Sequence, residues 1–239
     1  MTFKNSIAKL ISCLLCLTLL FTATVAFAEE TTKTDKFAII MNPTRNYLIV
    51  VNEDHPYEFG GEYDEALKAD LVALPDVDGE PTYIERAAAF AFQSLQYDLM
   101  KKGITIGFYS GYRTSDDQQW VYDYYSNLEG WSETNKVLKP GYSEHHTGLM
   151  LNIMVLLPGD DGNPIWYTMT PERRKEFPEV EVLYSTLADY GFIERYPEGK
   201  EDITGIPAEP YEIRFVGSSA IAHSIMDGNY VLEELSLGD

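Results

Sequence analysis

The stretch Pro140-Gly-Tyr-Ser-Glu-His-His-Thr-Gly-Leu-Met-Leu-Asn152 decides how this chain is read. Its end opens an apolar run, Met150 to Leu157, of the kind that forms a buried strand, and Pro158-Gly159 stops that run. Its front is a polar loop, and Gly148 permits a tight bend between loop and strand. His145 and Asn152 therefore stand seven apart, one on the loop and one on the strand that follows. A second stretch, Glu209-Pro-Tyr-Glu-Ile-Arg-Phe-Val-Gly217, carries two carboxylates three residues apart at the start of another strand.

The ends and composition of the chain bound its class. The 239 residues are 45% hydrophobic, enough for one full core, with no repeat and no long linker. Residues 1–28 have Lys4 and Lys9 in front, an apolar run from Leu10 to Phe27, and Ala26-Phe-Ala28 at the end, the build of a secretory signal. The run is short and leads into Glu29-Glu30 without basic flanks, which favours cleavage over a membrane anchor. Leu10-Ile-Ser-Cys13 resembles a lipoprotein cleavage box, but cutting there would leave Leu14 to Phe27 exposed. The expected division is thus a signal at 1–28, a short tail at 29–36 and one domain at 37–239, outside the cell or associated with its wall. Cys13 and Cys16 both lie in the signal, so no disulfide framework is expected after processing. Removing residues 1–28 would delete Lys4 and Lys9 and no acid, leaving 16 basic residues against 38 acidic, a formal charge of −22. That charge argues against nucleic acid and anionic lipid as partners, because both need clustered Lys and Arg.

Along the chain, Phe37 to Met41 and Tyr47 to Val51 read as strands around the turn Asn42-Pro-Thr-Arg-Asn46, and His55 reads as a turn residue before Pro56. Thr82-x-x-Glu85 has the pattern of a capping box. Ile84, Ala88, Ala91, Phe92, Leu95 and Leu99 follow at helical spacing, and Lys101-Lys-Gly103 ends that helix. Ile104 to Tyr109 is a strand that delivers Ser110-Gly-Tyr-Arg113 to its end, and a helix starts near Asp116. Pro158 to Pro164 is a solvated acidic turn without EF-hand spacing. Glu181 to Tyr190 and Ser218 to Asp227 read as helices. Short strands mixed with helices, without regular βαβ alternation, indicate an α+β fold.

Several of these pieces resemble zinc-dependent D-alanyl-D-alanine carboxypeptidases of the vancomycin-resistance type. Ser143-Glu-His145 with Gly148 and Asn152 is similar to that family's Ser-x-His-x-x-Gly-x-x-x-Asp motif, and Glu209-Pro-Tyr-Glu212 to its Glu-x-Trp-His motif. Ser110-Gly-Tyr-Arg-Thr with Gln118 resembles its Ser-Gly-Tyr-Arg-Ser-x-x-x-Gln element. Tyr190 to Lys200 matches its Tyr-Gly-Phe-x-x-Arg-Tyr-Pro-x-Gly-Lys stretch without a gap, and Thr204-Gly205 follows as that family's Thr-Gly does. The resemblance covers roughly residues 37 to 235. It implies a hedgehog/D,D-peptidase-like α+β fold, an antiparallel sheet with helices packed on one side and the cleft across the sheet. It further implies a metal set at His145, Asn152 and Glu212, Glu209 as general base, and Arg113, Gln118 and Ser143 toward substrate, a peptidoglycan stem peptide.

Two departures bear on activity. Asn152 replaces the family's Asp and Glu212 its second His, so the formal ligand charge is unchanged while one imidazole is lost. Zinc affinity should fall, and a harder divalent cation becomes the relatively better fit. His146 is a possible substitute donor, read first as a rim residue because adjacent side chains on an extended segment diverge. A metallopeptidase with an altered metal set and a non-catalytic module that binds wall peptides or a protein partner are both open readings. If the leader is a signal peptide, N-terminal sequencing of the exported protein will begin at or near Glu29; Met1 on a soluble cytoplasmic form would contradict it.

Overall fold

In the computed structural model the described residues are 42, 44–128 and 137–235. The expected signal, tail and strand Phe37 to Met41 lie outside them. Helix α1 (Glu62–Asp70) leads into a hairpin of β1 (Leu71–Pro75) and β2 (Pro81–Glu85), with Leu71 opposite Glu85 and Pro75 opposite Pro81. The main sheet is wholly antiparallel, in the order β3 (Thr105–Ser110), β4 (Met150–Pro158), β7 (Glu212–Phe215), β6 (Phe192–Glu194). β4 has two partners on one side: residues 150–152 pair with β7, and 154–158 pair with β5 (Pro164–Thr168) through the Pro158–Pro164 turn. It is the central strand and is almost continuously buried. The α+β class, with antiparallel sheets and helices, is as the sequence indicated.

Helix α2 (Arg86–Lys101) differs from expectation at its start. Residues 81–85 form β2, and Glu85 caps the helix with its carboxylate, accepting from Ala88 N at 2.9 Å. Thr82 is committed to the hairpin, where its hydroxyl donates to Asp76. Five ladder pairs with β1 outweigh one extra helical turn, and Glu85 supplies a cap without a Ser or Thr. The apolar face then packs as the periodicity indicated: Phe92 is fully buried and meets Phe108 of β3 edge-on at 5.4 Å. Helix α3 (Ser115–Ser126) has a complete capping box from Thr114 and Asp117. A short helix α4 (Pro171–Glu176) follows β5. The expected helix from Glu181 to Tyr190 is instead two turns, Glu181–Tyr184 and Leu187–Tyr190, closed by Gly191 at φ +74°. Tyr47 to Val51 is not a strand but an irregular segment, whose carbonyls bind a buried arginine rather than a sheet neighbour. The last helix, α5 (Ser219–Asp227), is capped by Ser218 and packs on β6.

A buried ionic network joins these parts. Glu144, wholly buried, accepts from Arg195 Nε at 2.8 Å with one carboxylate oxygen, and its other oxygen lies 3.3 Å from Arg214 Nε. Arg195 also donates to Glu233 through Nη1 at 3.0 Å and Nη2 at 2.6 Å. Arg214 donates onward to the carbonyls of Tyr47, Ile49 and Phe215. Two guanidinium and two carboxylate groups thus balance, which a dry interior requires. Glu144→Gln would strand two buried cations beside one remaining carboxylate. It is expected to destabilise by about 3–5 kcal/mol, lowering the melting temperature by roughly 6–20 °C at this chain length. A shift under about 2 °C, within surface-substitution range, would show that the network does not carry the fold.

Candidate functional site

The loop Ser143 to Gly148 is a single 3-10 turn (Glu144–Thr147) leading into the start of β4. Ser143 Oγ accepts from His145 N at 3.4 Å, so its hydroxyl caps the turn. Gly148 closes the turn at φ +69°, and a Cβ there would come within 2.9 Å of Leu67 Cδ1, so both conformation and space call for glycine. Anchored from below by Glu144, the turn presents His145 to the cleft.

His145 is only 3% exposed. Its Nδ1–H donates to Gly111 O at 2.6 Å, which leaves the Nε2 lone pair pointing the other way without any protein donor. Burial, helped by the positive charge of Arg113, holds its pKa below the ordinary value, so the ring is neutral. Glu212 Oε1 lies 3.7 Å from that Nε2. Asn152 on β4 is the direct cross-strand partner of Glu212 on β7; its Nδ2 donates to Tyr109 Oη at 3.3 Å and its Oδ1 has no donor. Three side chains thus bring acceptor atoms to one wall, two of them buried and unsatisfied. Buried acceptors without protein donors are rare and costly, and an ordered water or a cation would satisfy them. The donor set fits a divalent cation, with the oxygen-rich balance that harder ions prefer. Among the described residues no group of three His, Cys, Asp or Glu is placed to hold a metal ion, so a cation held by His145 and Glu212 would draw any further protein donor from a neutral group such as the Asn152 amide.

Glu209 sits on the turn into β7, with Glu212 N donating to its carbonyl at 2.9 Å. Burial, with the charge of Glu212 beside it, pushes its carboxyl well above the usual carboxylate range, while a hydrogen bond from Tyr211 pulls the other way. Arg113 follows β3, and its Nε donates to Ser110 Oγ at 3.0 Å and its Nη1 to Gln118 Oε1 at 3.1 Å. Gln118 in turn donates to Leu138 O at 2.6 Å. Both ends of that amide are therefore engaged by protein, and its influence on a ligand passes through the guanidinium it holds. His145, Asn152, Glu209, Glu212 and Arg113 all line one cleft of about 520 Å³, together with Gln118 and Ser143.

His146 is corrected from a rim residue to a core residue. It is wholly buried; Nδ1–H donates to Arg113 O at 2.8 Å and Nε2 accepts from Gly141 N at 3.0 Å, so neither nitrogen can bind a cation. His55 lies in an exposed turn closed on Asn52, as expected. In the Pro158–Pro164 turn, Asp161 accepts from Asn163, which accounts for that acid structurally. The residue that sequence reading missed is Tyr109, whose only signal was its place at the end of the strand that faces Asn152.

Comparisons with known proteins place this geometry. The family model for D-alanyl-D-alanine carboxypeptidase, VanY, matches residues 81–218, a span that contains every site residue named above. The putative carboxypeptidase YodJ of Bacillus subtilis (strain 168) is 33% identical over 215 residues, covering 87% of this chain and 73% of its own length. The bifunctional D-Ala-D-Ala dipeptidase and carboxypeptidase VanXYC of Enterococcus gallinarum is 31% identical over 79% of this chain and 93% of its own. Among solved structures, the LdcB LD-carboxypeptidase, described for its peptidoglycan recognition, aligns with a TM-score of 0.64 at 31% identity, over 79% of this chain and 85% of that one. The vancomycin-resistance D,D-pentapeptidase VanY in complex with Zn(II) aligns at 0.57 and 26%, over 79% and 97%. With its sheet, its cleft and its motifs accounted for together, this chain belongs to the VanY family of D-alanyl-D-alanine carboxypeptidases.

Proposed function

We propose that this protein is an exported metallo-carboxypeptidase that acts on peptidoglycan stem peptides, with a divalent cation held by His145, Asn152 and Glu212. The observation that carries the proposal is the set of acceptor atoms without donors, converging beside a buried carboxyl and a guanidinium in one cleft. Family membership supplies the class of reaction, and an acidic chain after a secretory leader suits the outside of the cell. The bound cation would supply Lewis acidity, lowering the pKa of a water and polarising a carbonyl.

The protein's own groups have separable tasks. Glu209, in its carboxylate form, takes a proton from the attacking water and returns it to the leaving amine. Arg113 offers a planar fork to the C-terminal carboxylate of the peptide, and the Ser110 and Gln118 bonds fix that fork before substrate arrives. The Nδ1 bond to Gly111 keeps the His145 lone pair on Nε2, where it is needed.

One observation favours the second reading, a binding module without turnover. The donors include a single imidazole and a neutral amide oxygen, a weak combination for zinc. The two readings separate in a rescue experiment that measures zinc binding and release of D-Ala from a peptide ending in D-Ala-D-Ala. Asn152→Asp with Glu212→His rebuilds two imidazoles and one carboxylate around Glu209, and is expected to raise zinc affinity by at least about tenfold, the scale of a ligand-type change of about 1.4 kcal/mol or more. Either single change alters the ligand charge and should do less. Cleavage by the unsubstituted protein that is chelator-sensitive and abolished by Glu209→Gln establishes the enzyme reading. A double variant that binds zinc tightly while the unsubstituted protein neither binds a cation nor cleaves establishes the binding module.

A further inference from the structure

Helix α3 is held to the body of the protein at one point. Gln118 is its buried residue, and that amide is engaged by Arg113 and by Leu138 O. From Trp120 to Leu128 the chain nevertheless carries six large apolar or aromatic side chains. An amphipathic helix ordinarily turns such residues toward a core. Here Trp120 is 66% exposed and Tyr124 51%. The rings form a path. Tyr125, with Val121 and Leu128, lines the cleft. Tyr125 meets Tyr124 edge-on at 5.2 Å, and Tyr124 lies 5.4 Å from Trp120 at 14°, nearly parallel, one helical turn away. Aromatic surface therefore runs unbroken from the wall of the cleft around the helix to the outside. An exposed apolar patch continuous with a binding cleft marks a contact surface.

The chemistry of the path selects its occupant. α3 has no Lys or Arg, and it carries Asp116, Gln119 and Asp123 beside the rings, with Gln119 Nε2 donating to Asp123 Oδ1 at 2.8 Å. Those acids repel a polyanion. A convex helix surface also offers no pocket in which an apolar peptide side chain could lose its water. A neutral sugar chain matches on both counts. One face of a pyranose is flat and built of C–H groups, whose weakly positive hydrogens suit the negative face of an aromatic ring. The hydroxyl and acetamido N–H groups at its edge can donate to carboxylate and amide oxygens. We propose that Trp120, Tyr124 and Tyr125 form a glycan subsite, which holds the N-acetylated amino-sugar chain that bears the stem peptide seated in the cleft. The subsite rests on the peptidoglycan reading given above and requires no bound cation.

Calorimetric titration with the β-1,4-linked hexamer of N-acetylglucosamine, in the presence of chelator and without any peptide, tests it. The forms compared are the unsubstituted protein, Trp120→Ala, Tyr124→Ala and, as a control, Tyr97→Ala, which removes an exposed ring from α2. The hexamer is expected to bind, about 5- to 30-fold more weakly after Trp120→Ala or Tyr124→Ala, the loss that follows truncation of an aromatic anchor. Tyr97→Ala should bind it as the unsubstituted protein does. All three positions are exposed, so melting temperatures should move by less than about 2 °C. No binding of the hexamer, or an equal loss in Tyr97→Ala, overturns the subsite. A dimer in sedimentation that Trp120→Ala disperses, with the hexamer unbound, also overturns it and assigns the face to a second copy of this chain. Release of D-Ala from a free peptide ending in D-Ala-D-Ala reports on the cleft separately. Turnover without hexamer binding removes the subsite and leaves the enzyme reading, whereas hexamer binding without turnover supports the subsite and favours the binding module.

Discussion

The rest of the structure depends on the Glu144 carboxylate, held between two buried arginines. Glu144 is the residue before His145, Arg214 lies two residues after Glu212, and the backbone N–H of Arg195 donates to Glu212 O at 3.0 Å. One charged cluster thus fixes the turn that carries the imidazole and the strand that carries the carboxylate. Neither group can shift without breaking ion pairs in a dry interior, where an uncompensated charge costs several kcal/mol. The same cluster draws in the carbonyls of Tyr47 and Ile49 and the C-terminal Glu233, so segments far apart in sequence close over the site from behind. Rigidity of this kind is what a preorganised site needs.

On the cleft side the electrostatics run the other way. Below the turn Glu144, Arg195, Arg214 and Glu233 are paired, whereas above it His145 Nε2 lies 3.7 Å from Glu212 and neither it nor Asn152 Oδ1 has a protein donor. Asn152 and Glu212 are opposite one another across two hydrogen-bonded strands, so one amide and one carboxylate share that wall of the cleft. Unlike the carboxylate, the amide presents an acceptor on one side and a donor on the other.

Much of this was legible in the sequence, and the parts that were not share a physical cause. The apolar run of β4, the core face of α2, and the glycines at 148 and 191 were readable because periodicity and φ preference are local. The α+β class and the convergence of His145, Asn152, Glu209, Glu212 and Arg113 followed from motifs carried by several separate segments. Residues 81–85 were misread because strand pairing with 71–75 is a long-range competitor that a capping pattern cannot reveal. Tyr47 to Val51 looks like a strand in composition, but its carbonyls serve Arg214, a partner more than 160 residues away. His146 reads as a loop histidine until both of its nitrogens are seen bonded to backbone. Tyr109 is invisible without the register shift between Phe108 and Ser110 on β3.

The central proposal is that the donor-free acceptors of His145 and Asn152, together with the Glu212 carboxylate, form one cation site. Anomalous diffraction from crystals grown with Mn²⁺, and separately with Zn²⁺, tests it most directly. The account predicts a single strong peak in the cleft, bounded by His145 Nε2, Asn152 Oδ1 and a carboxylate oxygen of Glu212, with the Gly111 bond to Nδ1 intact. A cleft without a peak, or Asn152 turned so that Nδ2 donates to Glu212 while the ion lies elsewhere, would contradict it.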